Sequence, residues 1–209
     1  MTSKPKLKRA IASKRVYRLG VRAETAAETA RAILRATVEL YGERFYDQVS
    51  LEDIAERAGV TVQTLVRRFG SKDELISAAA DSARETIRMQ RDETPVGDIA
   101  AAARALVDTY EAHGDRVLRM LAQEDRIPAF RLITDTGRAH HYAWVDRIFA
   151  PLLAKRSRRD RERLRAQIIA VCDLYVWKVL RRDLGMSAEE TQRAILQMLS
   201  ALGVAAISK

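Results

Sequence analysis

A stretch in the first third of the chain concentrates side chains that hydrogen-bond and bind anions. Residues 61–72 contain hydroxyl, carboxamide and cationic side chains and no acidic one. Gln63 and Arg67 stand four residues apart, so they would share one face of an α-helix. Carboxamide and guanidinium groups make paired hydrogen bonds with base edges in the major groove of DNA, while lysine and arginine bind phosphates. The predicted chemistry is therefore recognition of DNA.

Two short helices joined by a tight turn are predicted to position these side chains. Ser50 and Asp53 match a capping box that starts the first helix. Gly59 ends it, because glycine accepts the positive φ that a sharp turn requires. Thr61 then offers an N-cap hydroxyl to the second helix. The inner side of this second helix is apolar, so its polar side is predicted to face outward.

This stretch resembles the helix-turn-helix of the tetracycline-repressor (TetR) family of transcriptional regulators, whose pattern runs roughly A-x-x-A-G-V-(S/T)-x-x-T-L-Y-x-x-F-x-(S/N)-K. The positions that fit are Ala55, Ala58, Gly59, Val60, Thr61, Thr64, Leu65, Phe69, Ser71 and Lys72. Val66 departs from the pattern, since the family usually carries a tyrosine there that touches the DNA backbone. Valine cannot donate to a phosphate but can contact a thymine methyl group. Alternatively, Val62 and Val66 only flank the core.

The resemblance implies double-stranded DNA as a partner, in the form of a palindromic operator. The residues predicted to contact it are Thr61, Val62, Gln63, Thr64, Val66, Arg67, Arg68 and Lys72. Lys72 follows the helix N-cap at Ser71, where free backbone N–H groups favour a phosphate. The alternative is an ordinary surface lysine.

Composition predicts an all-α protein. The 209 residues include 47% hydrophobic residues but nine glycines and four prolines, and no strand-like alternation stands out. We expect an N-terminal three-helix helix-turn-helix DNA-binding domain plus a C-terminal helical ligand-binding and dimerisation domain. The predicted segments are a basic flexible arm at residues 1–23, the DNA-binding domain at residues 24–71 and the effector-binding and dimerisation domain at residues 72–209.

Positive charge is concentrated at the beginning of the chain. The net charge is +9, and eight cationic residues precede Glu24: Lys4, Lys6, Lys8, Arg9, Lys14, Arg15, Arg18 and Arg22. Such an arm could follow phosphates or enter the minor groove, or it could be a solvated tail. A second basic run at residues 155–165 is predicted to be a solvated loop and helix start.

Hydrophobic periodicity predicts the remaining elements. The first long helix should start at a capping box of Thr25 and Glu28. The expected helices span about residues 25–42, 51–58, 62–69, 72–90, 99–114 and 115–125. A longer helix with Ile133 on its inner side is expected after Pro128 and up to Pro151, followed by helices at about 168–180 and 187–207. The core expected for the DNA-binding domain is Leu34, Val38, Ile54, Leu65 and Phe69. The last two helices are apolar nearly all round, which predicts a homodimer through them or, alternatively, a deeper monomer core.

The family usually binds a small molecule among the helices that follow the DNA-binding domain, and this binding releases the operator. Large apolar and aromatic side chains separated by many alanines predict a cavity in that region. The candidate lining residues are Leu106, Tyr110, Met120, Phe130, Trp144 and Trp177. A filled core would instead favour a ligand-independent dimeric DNA-binding protein. An enzyme with an appended DNA-binding module would need a cluster of perturbed acids or bases.

No catalytic, metal or cofactor site is predicted. The chain lacks a phosphate-binding glycine loop, a nucleophile elbow and zinc-spaced cysteines. His140 and His141 are adjacent and would point about 100° apart on a helix, so a shared metal would need help from His113. Cys172, the single cysteine, excludes an internal disulfide and is predicted to be a small buried hydrophobe. Without a signal peptide or a membrane-spanning stretch, a cytoplasmic location is expected.

Overall fold

Helices make up the regular structure of the protein. The computed structural model describes the backbone of residues 5–203 and the side chains of residues 24–203. Within that part of the chain there are ten α-helices and no strand: α1 (Pro5–Glu43), α2 (Leu51–Ala58), α3 (Val62–Phe69), α4 (Lys72–Asp92), α5 (Ile99–Leu121), α6 (Pro128–Ile148), α7 (Ala150–Leu153), α8 (Arg158–Val171), α9 (Leu174–Lys178) and α10 (Ala188–Ala201). A 3-10 turn, Tyr46–Gln48, follows α1, and a π-helical turn, Val179–Asp183, follows α9. The predicted all-α fold is confirmed.

The first helix begins earlier than predicted. Because α1 starts at Pro5, the expected start at Thr25 and Glu28 is wrong. Thr25 lies inside the helix, and its carbonyl accepts a hydrogen bond from the Thr29 hydroxyl at 2.8 Å. A threonine followed three positions later by glutamate caps a helix only where the preceding chain is not already helical. The side chains of the basic segment lie outside the described residues, so its contact with DNA stays a prediction.

The tight turn between α2 and α3 has the predicted geometry. The Ser50 hydroxyl accepts from the Asp53 backbone N–H at 3.0 Å, and the Asp53 carboxylate accepts from the Ser50 N–H at 2.7 Å. Gly59 has a φ of +68°, in the left-handed region that favours glycine. The Thr61 hydroxyl accepts from the Thr64 N–H at 3.3 Å and so caps α3. These local hydrogen bonds set the angle at which α3 leaves α2.

One hydrophobic core joins α1, α2 and α3 to the beginnings of α4 and α6. Its buried members are Ile33, Ala36, Leu40, Tyr41, Val49, Ile54, Ala55, Leu65, Leu75, Ile76 and Phe130. Ile54 and Leu65 are buried as predicted, whereas Leu34, Val38 and Phe69 are only half-buried. The buried positions of α1 lie to one side of the predicted core residues Leu34 and Val38, because α4 as well as α2 packs against this helix.

A second hydrophobic core fills the C-terminal half between α5, α6, α8 and α10. It completely buries Leu106, Ile148, Phe149, Ile168 and Ile195. The first core nevertheless includes residues from α4 and α6, which lie beyond the predicted domain boundary at residue 71. The two halves of the chain therefore meet through a shared packed interface.

Gly114 does not end a helix as predicted. It lies within α5, which continues to Leu121, so the separate helix expected at residues 115–125 is absent from the described structure. A Cβ atom at this position would lie 2.6 Å from a ring atom of Trp177. Glycine is present here because the α9 indole packs directly on the backbone of α5.

The predicted bounds of the later helices also need correction. α6 begins at Pro128, which occupies the first turn where its missing N–H costs nothing, and ends at Ile148, before the predicted limit at Pro151. The single helix expected at residues 168–180 is interrupted, because Asp173 caps the new helix α9 by accepting from the Tyr175 N–H at 2.8 Å. α10 begins after Ser187 as predicted and ends at Ala201 rather than near residue 207. Among the described helices, none is long and apolar enough to cross a membrane.

Candidate nucleic-acid interface and neighbouring cavity

The outer face of α3 is polar and accessible. Leu65, 1% exposed, anchors the helix in the first core. Gln63, Arg67 and Arg68 are exposed on its other sides. Within the described residues, neither arginine forms an ion pair. The face therefore offers one carboxamide and two unpaired guanidinium groups, which is the donor set that reads base edges and binds phosphates.

The two valines of α3 have different environments. Val62 is half-buried and packs against the first core, whereas Val66 is 47% exposed. Val62 thus flanks the core, and Val66 faces outward where it could contact a thymine methyl group. The hydroxyl oxygens of Thr61 and Thr64 lie 3.0 Å apart at the N-terminus of the helix. The contacts of these four residues with DNA stay predictions.

Lys72 is engaged inside the protein. Its Nζ donates to the Tyr46 carbonyl at 3.0 Å and lies 4.0 Å from the centre of the Tyr46 ring. The Tyr46 hydroxyl in turn donates to Asp73 at 2.8 Å. Burial, followed by the hydrogen bond to Asp73, raises the pKa of Tyr46 to about 12. The lysine joins the turn after α1 to the start of α4, and a phosphate would have to use the remaining Nζ donors.

The turn after α1 is also held by the end of α5 and the start of α6. Arg119 Nε donates to the Gly42 carbonyl at 3.0 Å, Gln123 Oε1 accepts from the Tyr46 N–H at 2.9 Å, and Arg126 pairs with Asp47 at 3.0 Å. Phe130 contacts the rings of Tyr41 and Tyr46 edge-on, each at a centroid distance of 5.8 Å. We call Arg119, Gln123, Arg126 and Phe130 the clasp.

Sequence reasoning missed the clasp. Its polar members lie on helix surfaces and have no spacing that distinguishes them from solvated residues. Only Phe130 carried a signal, as a large aromatic side chain next to a helix start, and that signal was interpreted as a cavity wall.

A cavity of about 590 Å³ lies between α4, α5, α6 and the start of α9. Tyr110, Met120 and Trp144 line it as predicted. Leu106 and Trp177 do not, because both are 0% exposed within the packed C-terminal half. The assignment of these two residues and of Phe130 to the cavity is therefore wrong, and Phe130 belongs to the first core and the clasp. Ala80, Ala83, Ala139 and Ala143 also line the wall.

Cationic side chains dominate the polar part of the cavity wall. The wall includes six arginines, three histidines and two aspartates: Arg84, Arg88, Arg91, Arg116, Arg138, Arg147, His113, His140, His141, Asp92 and Asp173. Sequence reasoning missed these arginines because they are distributed over three helices. The excess of basic groups is visible only after α4, α5 and α6 are brought together.

Arg91 is the most enclosed of these arginines. It is 8% exposed, and its Nε donates to the Thr109 hydroxyl at 3.3 Å. One guanidinium nitrogen lies 3.4 Å from His141 Nδ1. The cation also lies 5.4 Å from the ring centre of Tyr110 and 5.1 Å from that of Trp144. All of these neighbours are uncharged or aromatic, so the guanidinium charge has no carboxylate partner among the described residues.

His113 and His141, two of the three cavity histidines, are held in the neutral form. Burial, and then the positive charge of Arg91, lowers the pKa of His141 to about 3. Burial and the charge of Arg116 lower the pKa of His113, whose Nδ1 lies 2.5 Å from Arg116. Within the described residues, Nε2 of each ring is buried without a hydrogen-bond partner. The described chain contains no group of three side chains placed to hold a metal ion.

Cys172 lies in the second core. It is 1% exposed, and burial raises the pKa of its thiol to about 12. Its carbonyl accepts a hydrogen bond from the Tyr110 hydroxyl at 2.9 Å. The prediction of a small buried hydrophobe is confirmed.

Comparison with known proteins agrees with the fold and the helix-turn-helix. Residues 33–79 match the model of the family described as bacterial regulatory proteins, tetR family. An HTH-type transcriptional repressor of Mycobacterium tuberculosis is 32% identical over 144 residues, covering 60% of this chain and 76% of that protein. An HTH-type transcriptional regulator of Mycobacterium bovis gives the same identity and coverage. A TetR-family transcriptional regulator from Streptomyces coelicolor is similar in structure, with a TM-score of 0.65 and 18% identity over 83% of this chain and 81% of that chain.

A helix-turn-helix whose second helix is polar and exposed, followed by a larger helical half, defines a DNA-binding transcriptional regulator. The chain belongs to the TetR family of these regulators, as the motif at residues 55–72 predicted.

Proposed function

We propose that this protein is a dimeric repressor that is released from a palindromic operator by a small molecule bound in the cavity. The observation that carries the proposal is the position of α4. This helix begins beside the reading helix α3 and ends in the cavity wall at Arg91 and Asp92. With 21 residues it is about 30 Å long, so one rigid element joins the two sites.

The clasp gives a second connection between the cavity and the reading unit, which consists of α2, α3 and the part of α1 that packs on them. Arg116 and Met120 of α5 line the cavity. Arg119 on the same helix and Gln123, just beyond its end, contact the turn after α1. A ligand that repositions α5 or α4 would therefore displace the reading unit. Such a ligand must bind the geometry that does not fit DNA more tightly than the geometry that does, since equal affinity for both shifts nothing.

Dimerisation is supported by apolar side chains that one subunit leaves uncovered. α8 and α10 bury one stripe each, while Ile169, Leu196, Met198 and Leu202 at their edges are only half-buried. A two-fold dimer would cover such edges and would present two α3 helices to inverted half-sites. The homodimer through these helices remains part of the proposal.

Repression is the direction suggested by the Mycobacterium tuberculosis relative, which is named a transcriptional repressor. The protein would act in the cytoplasm, where an operator is accessible. The cavity argues against the alternative of a ligand-independent DNA-binding protein, because that alternative was predicted for a filled core.

The proposal is tested by selecting DNA. The full-length protein is incubated with random fragments, and the retained DNA is sequenced. We expect one inverted-repeat motif, and reporter transcription from a promoter carrying it should fall when the protein is expressed. A compound library is then screened for dissociation of that operator. Retention of DNA with no common motif would contradict sequence-specific repression, and compounds that fill the cavity without dissociating DNA would contradict the release mechanism.

A further inference from the structure

We propose that the ligand of the cavity is an organic carboxylate, whose anionic head is bound by Arg91 and Arg116 and whose apolar body lies along the inner faces of α4, α5 and α6. This inference rests on the proposed function and specifies the chemical class of its effector.

The first argument is that the cavity arginines fall into two groups. Four of them are neutralised by carboxylates of the protein: Arg84 by Asp81, Arg88 by Glu85 and Asp92, Arg138 by Glu124 and Asp135, and Arg147 by Asp92. Arg91 and Arg116 have no such partner among the described residues. Asp173, the remaining carboxylate of the wall, caps α9 through the Tyr175 N–H and pairs with neither arginine among the described residues. The described wall therefore carries two cations without an ion-pair partner.

The second argument is burial. A buried cation is costly unless an anion compensates it. Arg91 is 8% exposed and is surrounded by the Thr109 hydroxyl, a neutral histidine and two aromatic rings. Desolvation also lowers the pKa of Arg116. These neighbours satisfy hydrogen bonds but supply no negative charge, so among the described residues the cation of Arg91 is uncompensated and an anionic ligand would stabilise it.

The third argument is that the two cations act on one place. Arg116 lies 2.5 Å from His113 Nδ1, and Arg91 donates to Thr109, four residues before His113 on α5. Both arginines and His113 line the cavity. A single anionic head near this ring would interact with both guanidinium groups. Among the described residues, Nε2 of His113 and Nε2 of His141 are buried without a hydrogen-bond partner, so a ligand at this end of the cavity would find polar atoms to bond.

The remainder of the wall indicates an apolar body. Ala83, Ile87, Val117, Met120 and Ile133 face the same space, which at about 590 Å³ has the size of a small-molecule site. Two cations attract an acid and repel an amine, while the apolar wall excludes small hydrophilic anions. A carboxylate on an aliphatic or aromatic body meets both requirements.

The inference is tested with matched probes on the full-length protein. Octanoate, 4-phenylbutyrate and 2-naphthoate are each compared with their primary amide and the corresponding amine, by calorimetry and by thermal melting. We expect at least one carboxylate to bind saturably and to raise the melting temperature, with its amide and amine at least 10-fold weaker. Equal binding of acid and amide, preference for the amine, or no saturable binding of any of the three acids would overturn the inference.

Variants test whether Arg91 and Arg116 bind the carboxylate head of the ligand. Arg116→Gln and Arg91→Gln should each weaken the carboxylate at least 10-fold and reduce the preference for acid over amide. Arg88→Gln is the matched control, because this arginine lines the same cavity but is paired with Glu85 and Asp92, and it should change affinity less than 2-fold. If Arg88→Gln weakens binding as much as the other two, the charge of the whole wall is responsible and the assignment is wrong.

Two further measurements separate folding and function from this inference. The unliganded Arg116→Met protein should melt no lower than the wild type, since it loses a cation without breaking an ion pair. A lower melting temperature would mean that Arg116 is structural. Operator dissociation is measured in parallel. A neutral or cationic compound that dissociates the operator would support the proposed function and reject the carboxylate as effector. A carboxylate that binds without dissociating the operator would support the ligand class and reject the release mechanism.

Discussion

Single residues show where the sequence was sufficient. The capping hydroxyls of Ser50 and Thr61 act on N–H groups three residues away, so their roles depend only on local sequence and were predicted correctly. A glycine often ends a helix, and Gly114 was predicted to do so. It lies in mid-helix instead, where Trp177, 63 positions later in the chain, packs on it. Its role depends on a distant contact, which no local pattern contains.

Gly114→Ala should destabilise the protein by about 1–3 kcal/mol, because the added methyl group would enter the Trp177 ring and a packed core cannot yield without strain. Gly137→Ala is the matched control. It is also a helical glycine, but a Cβ there would have no atom of the described residues within 4 Å, so this change should stabilise by about 0.4–1 kcal/mol. Denaturant titration measures both. Equal effects of the two substitutions would show that helix propensity, and not the indole contact, determines the cost.

Cys172 should resist alkylation in the folded protein. The reactive species is the thiolate, and a buried thiol with a pKa of about 12 forms very little of it at neutral pH. We expect modification by iodoacetamide to be at least about 100-fold slower than in the guanidinium-unfolded protein. Mass spectrometry over time gives both rates. Comparable rates would indicate that the second core opens frequently.

At the scale of elements, the sequence predicted the helix-turn-helix and missed the breaks around it. α2 and α3 carry strong local signals at both ends, so their bounds followed from the sequence. The interruption between α8 and α9 comes from the Asp173 cap, a local signal that the apolar pattern concealed. The extension of α5 through Gly114 follows from packing against the distant Trp177. The cavity was anticipated as a region, and three of its lining residues were identified. Its basic character was not, because the arginines converge from separate elements.

Side chains of α3 should separate into two classes in DNA binding. Gln63→Ala and Arg67→Ala should relax base preference by about 1–3 kcal/mol at the affected positions, because their exposed groups are free to read base edges. Lys72→Ala should weaken binding to all sequences and reduce the slope of log affinity against log salt by about 1. Its bond to Tyr46 requires a melting curve as a control. Uniform loss for all three variants would reject the division between reading and positioning.

Phe130 should transmit the state of the cavity to the reading unit. Phe130→Leu keeps an apolar side chain but loses the edge-on contacts with Tyr41 and Tyr46, at a cost of about 1–2 kcal/mol in stability. Under the proposed mechanism, DNA affinity without ligand should change little, while the ligand-induced decrease in affinity becomes smaller. Fluorescence anisotropy with and without inducer measures both. Unchanged coupling would leave α4 as the sole connection.

At the scale of the whole molecule, the proposed dimer constrains the operator. Two α3 helices related by a two-fold axis fit half-sites on one face of DNA only at a fixed separation. Lengthening the gap by about 5 base pairs, half a helical turn, should reduce affinity by at least about 100-fold. Lengthening it by a full turn is the companion measurement. An affinity independent of spacing would mean that the two readers bind separately.

The shared first core has a consequence for exchanging parts between relatives. Leu75, Ile76 and Phe130 complete the core of the DNA-binding half, although they lie outside residues 24–71. A fragment cut at residue 71 would lose these three buried side chains. A chimaera that joins this reading unit to the sensor half of another regulator would place foreign side chains against Tyr41 and Tyr46. Reprogramming such a regulator as a biosensor therefore requires that the clasp be transplanted together with the reading unit.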